Sequence, residues 1–272
     1  MSLQDELVRF WNRSTEYYTV NSEMNTASEG FHPAHARIAE FLSHQGVRTV
    51  LDVGCGTGHV ASALRELTPE IQYTGVDVAQ SAVDRATEIK RPGTYLVADT
   101  AALPFDDGSF DAVISLYALE HFTEPERSLE EIVRTTRPGG AIAIYSMNYD
   151  RPLGTVSSMR LGLRGASRLS PVNIAVYAFN RSVHALRQVA KHLRYSIDRH
   201  YVAFEMVESP LVLEGVYDVD YDAVHVVSGK AVVRTLEHTG CEIVASNVPR
   251  RLLAKQPVGL EVLAVRRRPA RV

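Results

Sequence analysis

The most informative segment of the sequence is Val50-Leu51-Asp52-Val53-Gly54-Cys55-Gly56-Thr57-Gly58. An apolar run typical of a buried strand ends at three glycines in alternate positions, and a helical pattern begins at residue 59. Glycine suits such a loop because the backbone must turn sharply and a ligand must lie almost against the main chain. The free N–H groups at the start of the helix would then meet a carboxylate of that ligand.

Outward from this loop, predicted strands and helices alternate. The strands are predicted at 48–53, 72–78, 95–98, 110–116 and 141–147, and the helices between them at 59–67, 80–90 and 126–136. This alternation is typical of a parallel sheet with helices on both faces. A further helix at 230–238 and two strands at 241–248 and 259–266 complete the pattern. We therefore predict a doubly wound, mainly parallel α/β sheet of about seven strands that ends in an antiparallel pair.

The rest of the chain is predicted to flank this core. Helical spacing at 3–19 and 35–44 indicates an N-terminal helical cap over residues 1–45. The α/β core spans 46–148 and is completed by 230–272. Between them the periodicity is lost, and a structureless loop of that length is improbable in a compact domain. Residues 149–229 are therefore predicted to be a helical insertion, a substrate-binding lid.

Composition excludes several classes of protein. The chain has 272 residues and a net charge of −3, so it has no overall basic excess for binding a nucleic acid. Cys55 and Cys241 stand alone, which indicates neither a disulfide framework nor a zinc site. No apolar run is long enough to cross a bilayer. We expect a cytoplasmic protein with no nucleic-acid or membrane partner, and a homodimer is compatible with this.

Three aspartates stand at or just after successive predicted strand ends: Asp52, Asp77 and Asp99. Because the carboxyl ends of parallel strands converge on one crevice, we expect all three to line one rim. Asp77 follows the glycines by about 20 residues, where a carboxylate accepts hydrogen bonds from ribose hydroxyls. From its own position, Asp99 can reach the exocyclic amine of an adenine.

A dinucleotide site is the competing interpretation of the same loop. Gly56-x-Gly58-x-x-Ala61 satisfies G-x-G-x-x-A, but counted from Gly54 the third small position falls on His59. Asp52 would also repel a pyrophosphate, whereas a ligand with an ammonium and a sulfonium would tolerate it. Asp52 therefore favours a ligand with an ammonium and a sulfonium over a dinucleotide.

Five segments in order, VLDVGCGTG, GVDVA, VADTAALPFDDGSFDAVIS, YALEHF and RPGG, resemble the class I S-adenosylmethionine (SAM)-dependent methyltransferases. The similarity is greatest to their small-molecule branch, which includes quinone-biosynthesis and natural-product tailoring enzymes. It covers 49–147 well and 240–266 more loosely. The resemblance implies a Rossmann-like methyltransferase fold, SAM as the cofactor, and methyl transfer by in-line displacement to an O, N or C atom of a small molecule.

The resemblance also implies which residues hold SAM. The glycines pack against its methionine part, Asp77 holds the ribose and Val78 packs on the adenine. Asp99, with Thr100 or Ala101, contacts the adenine edge, Leu116 lies beside the sulfonium, and Tyr17 or Tyr18 contributes from a lid. The implied cofactor-binding set is Tyr18, Asp52, Gly54, Cys55, Gly56, Gly58, Asp77, Val78, Asp99, Thr100, Ala101 and Leu116. RPGG is implied to be a structural turn before the fifth strand.

The residues for catalysis follow the fourth strand. His121 can serve as a general base because its pKa is near neutral, and Tyr117 can orient the acceptor. A cofactor-side or packing role for His121 stays open, since methyl transfer often needs only alignment in a dry pocket. Some relatives bind a metal through an acid three residues ahead of such a Glu-His pair. That position is Tyr117 here, so no metal site is expected.

Two questions of function stay open. Residues 217–222 alternate acids and aromatics, which fits either a pocket wall for a cationic or polyhydroxyl acceptor or a solvated acidic loop. The same SAM pocket could instead support a cyclisation or decarboxylation, or belong to a regulatory protein without turnover. An enclosed acceptor cavity beside the sulfonium would distinguish an enzyme from a regulatory protein.

Overall fold

The computed structural model describes residues 3–13, 33–147, 186, 205–206, 225–226, 228–248 and 259–267. The main strands are β1 Thr49–Val53, β2 Gln72–Asp77, β3 Thr94–Val97, β4 Phe110–Leu116, β5 Thr136–Met147, β8 Cys241–Ser246 and β9 Gly259–Arg266. Two short strands are β6 Glu205–Met206 and β7 His225–Val226. The helices are α1 Leu3–Arg13, α2 Pro33–His44, α3 His59–Leu67, α4 Gln80–Glu88, α5 Pro125–Thr135 and α6 Gly229–His238, with a 3₁₀ turn at Leu119–His121.

The main strands form one seven-stranded sheet in the order β3-β2-β1-β4-β5-β9-β8. The first five strands pair in parallel, and β9 pairs antiparallel with both β5 and β8. This confirms the predicted fold. The strand order reverses between β1 and β4, so a crevice opens there at the carboxyl ends of the strands.

Both faces of the sheet are covered, which explains why its central strands are almost wholly apolar. Side chains alternate between the faces. Leu51, Ile142 and Ile144 belong to the core cluster that includes residues of α5 and α6, whereas Val50 and Ile114 pack in the cluster with α2 and α3. The two cores fix β1 and β4 firmly, so the loops after these strands are held on a rigid base.

The predicted start of the fifth strand is wrong. β5 begins at Thr136, not at 141, so RPGG lies inside the extended strand instead of forming a turn before it. The register between β4 and β5 shifts at Phe110, which accommodates the extra residues. A Cβ on Gly140 would lie 2.6 Å from the carbonyl oxygen of Asp111, so glycine allows this close approach.

The predicted insertion lies mostly outside the described residues, as do residues 14–19 of the first predicted helix. Within 149–229 the described strands β6 and β7 pair antiparallel, and β7 contacts the 3₁₀ turn after β4. This part of the insertion therefore reaches the carboxyl edge of the sheet. Among the described helices, none has the length and apolar character needed to cross a membrane.

Candidate functional site

A cavity opens to solvent at the carboxyl ends of the strands, and the empty space within and just outside it is about 640 Å³. The predicted site residues that line it are Gly54, Gly56, Asp77, Val78, Thr100, Tyr117 and His121. The structure thus brings together the glycine loop, the end of β2 and the segment after β4. Predicted residues that do not line this cavity are Asp52, Cys55, Gly58, Asp99, Ala101 and Leu116. Tyr18 lies outside the described residues.

The glycine loop is fixed to the end of β2. The N–H groups of Gly54 and Cys55 both donate to the carbonyl oxygen of Val76, at 2.8 and 3.0 Å. One carboxylate oxygen of Asp77 accepts from the N–H of Gly56 at 2.8 Å, and the other accepts from the N–H of Ala79 at 2.9 Å. Each oxygen has a second lone pair, so Asp77 can still accept hydrogen bonds from a ligand.

Burial and hydrogen bonding act on Asp77 in opposite directions. Burial raises the pKa of Asp77, while the N–H groups of Ala79 and Gly56 and the nearby His121 favour its ionised form and offset part of that rise. Any hydroxyl that donates to this carboxylate stabilises the ionised form further. A diol, such as that of a ribose, matches the two acceptor oxygens of one carboxylate.

Gly56 and Gly58 have different roles in the loop. Both have positive φ, 52° and 74°, but a Cβ on Gly56 would meet nothing within 4 Å. A Cβ on Gly58 would lie 2.3 Å from the hydroxyl oxygen of Tyr95. Gly56 therefore keeps the cavity open, whereas Gly58 lets the start of α3 pack against β3.

Asp52 lies below the loop and not on its rim, contrary to the expectation of three aspartates along one edge. Its side chain is 1% exposed, and one carboxylate oxygen accepts a 2.6 Å hydrogen bond from the hydroxyl of Tyr73. Its other oxygen is buried and has no hydrogen-bond partner among the described residues. Burial raises the pKa of Asp52 to about 7, even though the bond from Tyr73 lowers it.

The other predicted residues outside the cavity have structural surroundings. Asp99 is exposed and accepts from the N–H of Ala101 at 2.9 Å, which shapes the turn that presents Thr100. Cys55 is buried, and its sulfur lies 2.8 Å from where a Cβ on Gly75 would be, so it packs against β2. Burial raises the pKa of its thiol well above the ordinary value.

Helix α1, part of the predicted N-terminal cap, closes one side of the cavity through residues that the sequence analysis did not single out. Its residues Gln4, Leu7 and Trp11 line the cavity. The Trp11 ring meets the ring of His121 edge to face, with centroids 5.2 Å apart. The only sequence signal was the spacing of Leu7 and Trp11 on one helical face, which also fits ordinary core packing.

Three hydrogen bonds attach α1 to the core. The hydroxyl of Ser81 donates to the carbonyl oxygen of Trp11 at 3.0 Å, and the N–H of Ser81 donates to the side chain of Asn12 at 3.2 Å. The hydroxyl of Thr123 donates to the side chain of Gln4. Asn12 thus caps the N-terminal turn of α4, because the residue before that helix, Ala79, has no side chain that could do so.

Tyr117 begins the opposite wall. It is one of two non-glycine residues with positive φ among the described residues, at 51°, and its side chain is 43% exposed. Partial burial and the carboxylates of Glu120 and Glu261 raise the pKa of Tyr117, which keeps its phenol protonated. Within the part of the chain that the structure describes, no group of three or more His, Cys, Asp or Glu side chains could hold a metal.

Comparisons with known proteins agree with this geometry. Residues 51–144 match the model of a family described as a methyltransferase domain. A demethylmenaquinone methyltransferase of Thermus thermophilus is 27% identical over 57% of this chain and 78% of its own length. A 2-methyl-6-phytyl-1,4-hydroquinone methyltransferase of Synechocystis sp. is 37% identical over 37% of this chain, which spans only 32% of that relative.

A solved structure shares the fold. It is that of a Haloferax volcanii protein described as a methyltransferase, in complex with the methyltransferase activator Trm112. The match has a TM-score of 0.54 at 18% identity and covers 94% of this chain and 99% of that one. At this identity the likeness concerns the fold alone.

Proposed function

We infer that this chain, which belongs to the class I SAM-dependent methyltransferases, holds SAM between the glycine loop and α1 and methylates a small molecule that enters beside Tyr117. The observation that carries the proposal is the attachment of the glycine loop to the Asp77 carboxylate at the floor of the cavity. When bound, SAM supplies a methyl group activated on a sulfonium, which the acceptor takes by in-line displacement.

The residues around the cavity fit such a cofactor. Asp77 would accept from the ribose hydroxyls, and Val78 and Thr100 would border the adenine, with Asp99 and Ala101 on the same turn. The open space above Gly56 admits a group against the main chain. Leu7 and Trp11 would cover it and exclude water.

The buried charge beneath the loop also fits a cation. One oxygen of Asp52 has no hydrogen-bond partner among the described residues, and burial holds its pKa near 7. A positive ligand above the loop would favour the ionised form of this carboxylate, whereas a dinucleotide pyrophosphate would oppose it. Asp52 therefore supports binding of SAM at a distance and without direct contact.

We propose that the acceptor is an aromatic small molecule of the hydroquinone class. Trp11, Tyr117 and Phe122 give the cavity aromatic walls, and two similar proteins are named for acting on demethylmenaquinone and a phytyl hydroquinone. The protonated phenol of Tyr117 would orient an acceptor hydroxyl, and His121 would receive its proton. The contact of β7 with the 3₁₀ turn supports a role for the insertion in binding the acceptor.

Methylation of defined probes tests the proposal. The protein is incubated with SAM and with demethylmenaquinol, 2-methyl-6-phytyl-1,4-hydroquinone or catechol. S-adenosylhomocysteine (SAH) and methylated product are then measured by mass spectrometry. Equal amounts of both are expected with at least one probe. Consumption of a probe without SAH release would indicate non-methylating chemistry such as cyclisation or decarboxylation, and tight SAH binding with no consumption of any probe would indicate a regulatory protein.

The setting of the protein follows from the same observations. Both cysteines are buried and free, which is compatible with a reducing cytoplasm, where disulfides are rare. We propose a cytoplasmic enzyme whose partners are small molecules. A homodimer stays compatible with the sequence, and size-exclusion chromatography with light scattering would measure the oligomeric state.

A further inference from the structure

The segment after β4 forms more of the cavity wall than any single helix does. Residues Tyr117, Ala118, His121, Phe122 and Thr123 all line it. The segment also packs tightly on the glycine loop, because a Cβ on Gly54 would lie 2.4 Å from that of Ala118. Ala118 is therefore held against the cofactor side of the cavity, whereas a small shift at Tyr117 would change the acceptor side.

Tyr117 has a conformation that its surroundings must maintain. A non-glycine residue in the left-handed region is uncommon and persists where neighbouring contacts hold it. The N–H of Tyr117 donates to the carbonyl oxygen of Tyr145 at 2.7 Å, which attaches the start of the segment to β5. This bond fixes the backbone at Tyr117 but does not by itself fix the orientation of the 3₁₀ turn that follows.

The second attachment is a buried side-chain pair. Glu120 lies in the 3₁₀ turn, is 4% exposed and does not line the cavity. Its carboxylate accepts a 2.6 Å hydrogen bond from the hydroxyl of Ser146, which is fully buried in β5. The turn is thus bonded to two consecutive residues of β5, Tyr145 through the backbone and Ser146 through a side chain. Hydrogen bonds to a charged partner are the strong ones.

We propose that Glu120 is a positioning residue: through Ser146 it fixes the turn so that Tyr117 stays in its left-handed conformation and presents its phenol to the acceptor. Glu120 touches neither acceptor nor cofactor in this role. The pair acts through geometry, because a second bond to the same rigid strand narrows the conformations that the turn can adopt. The catalytic consequence rests on the proposed methyltransferase function, whereas the positioning itself does not.

Fluorine NMR tests the positioning without any turnover. A 3-fluorotyrosine is incorporated at position 117, and spectra are recorded for the SAH complex of each variant. The unchanged protein is expected to give a single narrow line. Glu120→Ala and Ser146→Ala should each give a broadened or split line, because the turn gains alternative conformations. Glu120→Gln should keep the narrow line, since its amide oxygen still accepts from Ser146.

A matched control distinguishes positioning from general loss of stability. Ser115→Ala also removes a buried hydroxyl, which donates to the carbonyl oxygen of Val53 at 2.8 Å on the neighbouring strand. It should lower the melting temperature about as much as Ser146→Ala while keeping the narrow line. Broadening in Ser115→Ala, or a narrow line in both Glu120→Ala and Ser146→Ala, would overturn the proposal. So would Glu120→Gln behaving like Glu120→Ala.

Kinetics with a probe that turns over add a second measurement. Misplacing a reacting group by about 1 Å can reduce a rate by as much as about 100-fold. We expect Glu120→Ala to lower kcat/KM for the acceptor about tenfold and to leave SAH affinity within about twofold. If the fluorine results hold but no probe is methylated, the proposed function fails and the positioning stands. Equal losses in acceptor kcat/KM and SAH affinity would contradict an acceptor-side role.

Discussion

The backbone N–H of Gly56 donates a 2.8 Å hydrogen bond to the carboxylate of Asp77, which lies at the end of the neighbouring strand. The same carboxylate accepts from Ala79 and lines the cavity. One side chain therefore shapes the glycine loop and also offers acceptors to whatever lies above it. Removing the Asp77 side chain should weaken ligand binding in two ways: it removes contacts with the ligand, and it removes a hydrogen bond that holds the glycine loop.

The first prediction concerns Asp77. Asp77→Ala should weaken SAH binding by about 100-fold or more, because each hydrogen bond to a charged group contributes about 1.5–3 kcal/mol. The SAH affinity of Asp77→Asn should lie between those of Asp77→Ala and the unchanged protein, since the amide keeps one acceptor oxygen. Isothermal titration calorimetry measures the affinities. Asp84→Ala, an exposed acid on α4 bonded to Gln80, is the control and should bind SAH normally. Unchanged affinity in Asp77→Ala would contradict the site assignment.

The second prediction separates two glycines. Gly58→Ala should reduce the free energy of unfolding by about 3 kcal/mol, from the left-handed backbone and the clash with Tyr95. Gly56→Ala should cost only about 1 kcal/mol, because its methyl group meets nothing within 4 Å. The same methyl group projects toward the ligand and should lower SAH affinity at least about tenfold. Urea unfolding measures the loss of stability, and calorimetry measures the SAH affinity. A larger loss of stability in Gly56→Ala than in Gly58→Ala would contradict these roles of the two glycines.

The third prediction concerns helix α1. Trp11 is the single tryptophan of the chain and packs on His121 in the cavity wall, so SAH binding should change the tryptophan emission. Asn12→Ala should destabilise the attachment of α1 by about 1 kcal/mol, because it removes the cap of α4. Stopped-flow fluorescence should then show faster SAH release. Arg9→Ala, an exposed residue on the same helix, should release SAH at the normal rate.

The fourth prediction is a pH dependence of stability. The folded state holds the pKa of Asp52 near 7, well above its ordinary 3.8. Between about pH 4 and 7 the folded protein therefore keeps a proton that the unfolded chain has already released. This contribution is present at low pH and is lost as the pH rises. Asp52→Asn stays neutral, so its stability relative to the unchanged protein should increase across that window by on the order of 3 kcal/mol.

His59 acts in the opposite direction over much of the same range. Burial, with a further effect of Arg91, lowers the pKa of His59 to about 4, so its contribution to stability is lost as the pH falls from about 6.5 toward 4. The two slopes partly cancel in the unchanged protein. Urea unfolding of both proteins at each pH isolates the Asp52 effect as a difference, and a difference that is constant with pH would contradict it.

Much of the core could be predicted because its signals are local. Pro69 ends one predicted helix, the glycine cluster ends β1, and the alternation of strands and helices decides the parallel order. The starts and ends of α3, β4 and β9 agree with prediction for this reason. RPGG was assigned as a turn because the bulge that accommodates it depends on the register with β4, which is a tertiary property.

The placement of Asp52 shows what strand-end reasoning lacks. A position at the end of a strand predicts the edge of the sheet but not the depth of the side chain. Asp52 pairs with Gly75, whose missing side chain leaves room for Tyr73 to reach the carboxylate from the same face of β2. Likewise the apolar stripe of α1 predicts a buried face without predicting that Trp11 would meet His121.

The chain leaves the sheet at the end of β5 and rejoins it at β8, while the residues proposed to hold the cofactor lie on α1 and at or after the ends of β1, β2 and β3. On the proposed function, replacement of residues 148–228 would change which molecule is modified, while the residues proposed to hold the methyl donor stay the same. The range of products could then diversify by exchange of the insertion alone, on an unchanged α/β core. Transfer of this insertion between related proteins is therefore a practical route to enzymes with new acceptors.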